Sequence, residues 1–388
     1  MSFSFQFDPV QLPPEAKALR LEVRAFLAEE IARGSFSPVS TGRQSSWSPD
    51  FSRKVADRGW IGMTWPKEEG GHGRTHLERY VMIEEMLAHR APVSFHWVAD
   101  RQSGPVILRY GHEAVKRDII PKIIRGEASF CIGLSEPNSG SDVFAASTKA
   151  TQVQGGWLIN GRKIWTSNAH RATHMIGLFR TSATTKENRR HGLTQFVLEM
   201  KTPGITPRPI RNLTGRHEFN EVTFDNVFIP EQNMLGEKDM AWAQATAELA
   251  YERSGPDRIL ETMSVLSELI RTAGPSPGER VAEGIGREIA HLKTLRRMSL
   301  SVAGMLQAGK TPAVEAAVVK DLGTNWEQAL PGRARSLMPP RVGGPPAPER
   351  ADYEAAMHFN TLIAPKLTIQ GGTREVLRGI IARGLGLR

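Results

Sequence analysis

The hydrophobic pattern changes period twice along this chain, and that double switch limits the fold more than any single motif. Up to about residue 125 the apolar residues recur at helical spacing, as in Leu19, Val23, Phe26, Leu27 and Ile31. From about Ser129 to Gly236 the text alternates instead, as in Thr194–Glu199 and Glu221–Ile229. From about Lys238 the helical spacing returns. A helical repeat buries a stripe and a strand repeat buries a face, so the three stretches cannot form one layer. The expectation is a mainly α chain with a central β-domain: residues 1–128 helical, 129–236 a small β-barrel or sandwich, 237–388 helical again.

Local signals refine this. Thr75-His76-Leu77-Glu78 is a capping box that opens a helix to about His89. Further helical segments run from about Pro92 to Tyr110 and from His112 to Arg125, the latter interrupted or ended near Pro121. Asn160-Gly161 lies between two apolar runs and predicts a tight hairpin turn. Later helices are expected from Met240 to about Arg271 (whole, or broken near Gly255-Pro256), Glu279 to Gly309, Thr311 to Ala329, Tyr353 to Leu362 and Thr373 to Arg383. Pro339 to Pro348 reads as a connection.

Composition removes several function classes. With 36 glycines and 25 prolines in 388 residues, collagen-like and largely disordered readings fail. The lone cysteine, Cys131, excludes an internal disulfide and a Cys-based zinc cluster, and suits a cytoplasmic protein. The N-terminus lacks the basic and apolar pattern of a signal peptide. No stretch approaches the roughly 18 apolar residues a membrane span needs. The net charge is +9, but the basic residues are scattered, with only pairs such as Arg296-Arg297. A phosphate-bearing small molecule explains that charge with fewer assumptions than nucleic acid.

The familiar nucleotide and hydrolase motifs are missing. There is no Walker A run and no G-x-S-x-G elbow, and Gly284-Ile-Gly286 sits inside a helical pattern rather than after a strand. His170 and His174 have metal-like spacing, but in a strand or loop that spacing does not put both rings on one face. Solvated loop histidines are the simpler reading, and no metal is expected. The informative run is Leu134-Ser-Glu-Pro-Asn-Ser-Gly-Ser-Asp142. It is either a plain polar loop or a hydroxyl-and-amide cradle for a flat hydrogen-bonding ring such as an isoalloxazine. A second hydroxyl cluster, Trp165-Thr166-Ser167-Asn168, adds an aromatic wall.

Taken together these runs resemble the acyl-CoA dehydrogenase family. Ser135-Glu-Pro-x-x-Gly-Ser-Asp142 is similar to its most specific signature, and Lys163-Ile-Trp-Thr-Ser167 to its second flavin loop. His217–Pro230 resembles the strand that closes its β-domain, and Thr368–Arg383 its C-terminal segment. The resemblance implies a helical N-terminal domain, a middle β-domain and a C-terminal four-helix bundle. It also implies FAD, an acyl-CoA substrate, electron-transferring flavoprotein as acceptor, and a homodimer, homotetramer or mixed tetramer.

By matching position, Ile132, Leu134 and Ser135 would line the flavin ring, and Gly140 and Ser141 would lie near flavin and substrate. Trp165 would shield the ring and Ser167 would reach its N5 edge, with Gly372 and Thr373 further cofactor contacts. The family often has threonine where Ser135 and Ser167 stand; serine keeps the donor and loses a methyl. The catalytic carboxylate of many members falls at Gly371, which cannot be a base. A smaller group, resembling the isovaleryl-CoA and long-chain enzymes, carries Glu-Arg on a helix, and Glu252-Arg253 matches it, with Glu248 as the fallback. The backbone N–H of Gly371 would remain as a donor to the thioester oxygen. Two family elements for the FAD pyrophosphate, Arg-x-x-Phe-Gly and Gln-x-x-Gly-Gly-x-Gly, have no counterpart. That pattern resembles a bacterial branch for bulky or ring-bearing acyl-CoAs, some of whose members pair unlike subunits. The competing readings are a non-catalytic partner subunit and a related flavin oxidase or monooxygenase.

Overall fold

In the computed structural model of the chain, the described residues are 6–38, 46–184, 188, 191–241, 255–340, 343 and 347–387. Their helices are α1 (Pro14–Ala32), α2 (Pro49–Asp57), α3 (His76–Ala88), α4 (Ser94–Val98), α5 (Gly104–Tyr110), α6 (Glu113–Ile124), α7 (Met263–Ala273), α8 (Glu279–Gln307), α9 (Ala313–Leu337), α10 (Ala351–Ile363) and α11 (Arg374–Gly384). The strands are β1 (Phe130–Gly133), β2 (Lys149–Val153), β3 (Gly156–Ser167), β4 (His174–Arg180), β5 (Leu193–Glu199), β6 (Ile205–Arg211), β7 (His217–Pro230) and β8 (Met234–Leu235). These elements fall into two compact units. One holds α1, α3 and α7–α11; the other holds α2, α4–α6 and the sheet.

In the helical unit, α3 begins at the capping box the sequence announces. Thr75 Oγ1 accepts from Glu78 N at 3.1 Å, and Glu78 Oε2 accepts from Thr75 N at 2.9 Å. Helix α3 buries Glu84 and Glu85, which is tolerable only because arginines meet them. Arg20 and Arg296 donate to Glu84, each at 2.8 Å, and Arg24 donates to Glu85 at 2.8 and 3.1 Å. The main core forms around α9. Its Trp326, Leu330 and Ala334 pack with Val265, Leu266 and Leu269 of α7, Leu295 of α8, and Tyr353 and Met357 of α10.

Helix α9 continues through Pro331 to Leu337, past the expected end at Ala329. Leu330 and Ala334 are both fully buried, so packing on either side of the proline outweighs the missing hydrogen bond. Helix α6 likewise passes Pro121, flanked by buried Ile119, Ile120 and Ile123.

The sheet is mixed and eight-stranded. Its order is β6-β7-β3-β2-β4-β5-β8, with β1 parallel to β4. Trp157, Ile159, Met175, Phe179, Phe196, Leu198, Val222, Phe224 and Val227 fill its core. The Asn160-Gly161 hairpin expectation is wrong. β3 runs straight through that dipeptide, and the β2–β3 turn falls at Gln154-Gly155, where Val153 pairs with Gly156 and Gly155 has φ +78°. Asn160-Gly161 instead faces a bulge, because β7 carries an extra residue between the partners of Ile159 and Gly161. Asn226 on β7 takes φ +50°; its N–H donates to Asn160 Oδ1 at 2.9 Å, and Asn160 Nδ2 returns a bond to Asn226 Oδ1 at 3.2 Å. Asn160 therefore caps a bulge, and a strand paired on both sides satisfies more backbone groups than a turn there. β6 is an edge strand paired only to β7, and it carries Pro207 and Pro209.

Candidate functional site

The two hydroxyl runs lie in the sheet unit and are joined side by side. Ile132 is half-buried on β1, and Leu134 packs against Ala146, Leu178 and Leu193. The loop then turns tightly: Glu136 N donates to Ser139 O at 2.7 Å and Ser139 N returns to Glu136 O at 3.0 Å, with Pro137 and Asn138 exposed at the tip. Ser139 Oγ donates to Asp142 O at 2.8 Å and closes the run. Gly140 and Ser141 are exposed, and a Cβ added at Gly140 would meet nothing within 4 Å. The second run ends β3. Between Lys163 and Thr166 the β3–β7 register slips, with the extra residue on β3. There Trp165 adopts φ +59°, which is costly for a large side chain and belongs to the kind of re-aimed position bulges create. Its indole is 57% exposed, edge-on to Phe219 at 6.0 Å.

Sequence reasoning missed what joins the runs. Ile164 N donates to Ser135 O at 2.9 Å. Lys163, whose side chain is fully buried, donates to Leu134 O at 3.2 Å and to Glu136 Oε1 at 2.7 Å. Glu136 also accepts from Ser147 N at 2.7 Å, Ser147 Oγ at 2.9 Å and Thr148 N at 3.0 Å. Burial alone raises a carboxyl, but the Lys163 charge and these hydrogen bonds override it and hold Glu136 at about 2. Burial draws the Lys163 ammonium down to about 8 against the pull of Glu136. At neutral pH the two therefore form an ion pair, and removing either partner of such a buried pair costs roughly 3–5 kcal/mol. The available signal was an acid inside the first run and a base opening the second.

Three hydroxyls in these runs are uncommitted. Ser135, Ser141 and Ser167 make no side-chain hydrogen bond among the described residues, while Thr166 Oγ1 is buried without a partner. An exposed indole beside free donors on anchored backbone fits a flat, polar-edged ring such as a flavin.

Below the bulge, Asn220 Nδ2 donates to Thr166 O at 3.0 Å and lies 3.2 Å from His170 Nδ1, and His170 stacks on His217 with centroids 3.8 Å apart. Burial is the main cause that lowers His170 to about 4, with His217 second. His174 is not the solvated loop residue expected. It opens β4, buried and stacked on Phe130 at 5.1 Å, because the strand begins there and turns the ring inward. Among the described residues no group of three His, Cys, Asp or Glu side chains is placed to hold a metal, and no helix is long and apolar enough to cross a membrane.

The remaining candidates belong to the helical unit. Gly371 and Gly372 are consecutive left-handed glycines with φ +68° and +100°, a backbone that side chains resist. Thr373 caps α11, its side chain accepting from Val376 N at 3.4 Å. Lys320 Nζ, on buried α9, donates to Gly372 O at 3.1 Å, and Asp321 pairs with Arg374 at 3.1 Å. Glu252, Arg253 and the fallback Glu248 lie outside the described residues.

Comparison with known proteins matches these segments. The model for the acyl-CoA dehydrogenase N-terminal domain covers residues 13–127, and that for the acyl-CoA dehydrogenase middle domain covers 131–227. The acyl-CoA dehydrogenase FadE34 of Mycobacterium tuberculosis is 32% identical over 96% of this chain, but the chain spans only 49% of that relative's length. The acyl-CoA dehydrogenase IpdE1 of Mycolicibacterium smegmatis is 30% identical, over 96% of this chain and 98% of its own. Among solved structures, a Tcur3481-Tcur3483 steroid ACAD superposes with a TM-score of 0.85 at 24% identity, covering 97% of this chain and 98% of that one. Butyryl-CoA dehydrogenase from Megasphaera elsdenii gives 0.81 at 22% identity, covering 98% and 100%. At those identities the structural likeness speaks for the fold. Two family models spanning more than half of the sequence, and a relative matched along nearly its full length, place this chain in the acyl-CoA dehydrogenase family.

Proposed function

We propose that the chain catalyses FAD-dependent α,β-dehydrogenation of a branched, long or bulky acyl-CoA to its trans-2-enoyl thioester. The observation that carries the reading is the joined pair of hydroxyl runs, with Ser135, Ser141 and Ser167 uncommitted beside the exposed Trp165. When bound, FAD supplies the acceptor for the hydride that leaves the β-carbon. Ile132, Leu134 and Ser135 line the ring edge in this reading, Trp165 covers a face and keeps water off it, and Ser167 donates at the reacting edge. Gly140 leaves open space beside the loop. In this reading the Gly371 N–H would stabilise charge that develops on the thioester oxygen, and Gly372 and Thr373 would be further cofactor contacts.

The base is Glu252, next to Arg253. It takes the α-proton because Gly371 has no side chain to do so. The three-segment division 1–128, 129–236 and 237–388 belongs to the same proposal, as do the cytoplasmic location and transfer of electrons to an electron-transferring flavoprotein. The substrate preference draws support from relatives named isovaleryl-CoA dehydrogenase and from the steroid ACAD.

A second reading is a partner-dependent subunit of a mixed assembly. It is favoured by the missing Arg-x-x-Phe-Gly and by the solved ChsE4-ChsE5 complex among the similar structures. The deciding experiment is anaerobic flavin bleaching by acyl-CoA in stopped flow. Glu252→Gln is expected to slow bleaching by about 10²–10⁴ with FAD content unchanged, and Glu248→Gln far less. Normal bleaching in both variants removes Glu252 as base. A wild-type chain that stays colourless with FAD alone but colours with a partner chain supports the second reading.

A further inference from the structure

We propose that Glu136 and Lys163 are positioning residues for the ring site: their buried ion pair holds the 134–142 loop in register with the 163–167 end of β3, and so sets Ser135, Trp165 and Ser167 relative to one another. The inference rests on the flavin reading above. Neither group is offered to a ligand, since both are buried and the Glu136 carboxylate is filled by Lys163, Ser147 and Thr148. What matters is their reach. Lys163 Nζ holds Leu134 O and Glu136 Oε1, so a single strand side chain grips both ends of the Leu134–Glu136 segment, while Ile164 N holds its middle at Ser135 O.

Immediately beyond Lys163 the strand slips register and Trp165 enters the left-handed region. Strained backbone persists only where its surroundings over-determine it. Asn220, through Thr166 O, holds the far side of the slip, and the ion pair holds the near side. An apolar pair of the same volume would fill the space but direct neither carbonyl nor loop. The other charged group facing the pair is Arg180, engaged with Ala146 O at 3.0 Å and His191 O at 2.8 Å; the Phe179 ring lies 5.2 Å from Lys163 Nζ. With Lys163 near 8 and Glu136 near 2, the joint loses its cation at mildly alkaline pH while the carboxylate stays ionised.

The test uses the full chain with Lys163→Met, Lys163→Arg and Glu136→Gln. In the flavin-free protein at neutral pH, hydrogen exchange over 134–142 and 163–167 is expected to quicken by about tenfold or more in Lys163→Met and Glu136→Gln, with the rest of the sheet unchanged. With FAD added, the wild-type dissociation constant is expected to weaken about tenfold from about pH 7 to about pH 9, as the cationic form becomes the minor one. That series needs no substitution. Lys163→Arg should keep the neutral affinity and lose the alkaline limb, and Lys163→Met should bind weakly at every pH. A buried pair that served stability alone would lower the melting temperature and leave flavin affinity independent of pH. Unchanged exchange in both segments overturns the proposal, and so does flavin affinity that ignores both Lys163→Met and pH. If the wild type takes up no flavin at any pH, the functional reading fails, and the exchange arm still decides whether the pair sets the loop.

Discussion

Replacing Gly161 by alanine tests whether the Asn160-Gly161 dipeptide lies within a strand or at a turn. Gly161 has φ +139°, and an added Cβ would stand 2.8 Å from Thr148 Cγ2 and 2.9 Å from Thr148 Cα. The Cα belongs to backbone that cannot swing away. Backbone strain in that region costs about 1–3 kcal/mol and forced overpacking about the same, so Gly161→Ala should lose about 2–6 kcal/mol. Gly155 at the true turn is the control. It has φ +78° with nothing within 4 Å of an added Cβ, so Gly155→Ala should lose only about 1–2 kcal/mol. Differential scanning calorimetry at matched scan rates compares them, at about 2–4 °C per kcal/mol for a unit of this size. Gly161→Ala should also disturb the strand that leads to Lys163 and Trp165, which tryptophan fluorescence reports. Equal shifts in the two variants, or a larger one at Gly155, would refute the bulge assignment and restore the hairpin.

Two further outcomes follow from the helical unit. Glu327 is raised to about 8, mainly by burial and then by the nearby Glu261 carboxylate. The folded state thus holds this proton more tightly than the unfolded one, and the stability it contributes is whole below about 4.5 and lost as pH rises through about 8. Glu327→Gln mimics the protonated form, so its melting temperature should overtake wild type toward pH 8; a constant offset between the two across that range argues against it. Trp326 Nε1 donates to buried Glu288 at 2.8 Å, so Trp326→Phe should cost about 1.5–3 kcal/mol in urea unfolding, and a loss under about 0.5 kcal/mol would contradict that bond's role.

The parts of the site legible in the sequence are those whose chemistry is local. The hydroxyls of residues 135–141 and 165–167 stand in two short runs, and the capping box at Thr75–Glu78 needs only four residues. The joint between the runs was not legible. Glu136 and Lys163 belong to different elements, no periodicity links them, and a lone charge in a polar stretch defaults to solvent. Asn160-Gly161 misled because asparagine and glycine serve a bulge for the same reason they serve a turn: one caps exposed backbone groups and the other accepts unusual φ. Pro121 misled because helix breaking is a local rule, and burial of the flanking residues is not local. The membership of α3 in the same compact unit as α7–α11 is a property of packing that no linear reading supplies.

The prolines of β6 have a consequence for how copies of this chain meet. Thr206, Arg208 and Ile210 alternate with Pro207 and Pro209 along the strand, and proline has no N–H to give. The outer rim of the sheet therefore lacks two successive donors, and an incoming strand from another molecule finds a broken ladder. Sheet-to-sheet growth is disfavoured at this rim. At this rim, contact with another strand is left to side-chain surfaces, where shape and charge choose the partner, instead of to backbone pairing, which accepts almost any sequence.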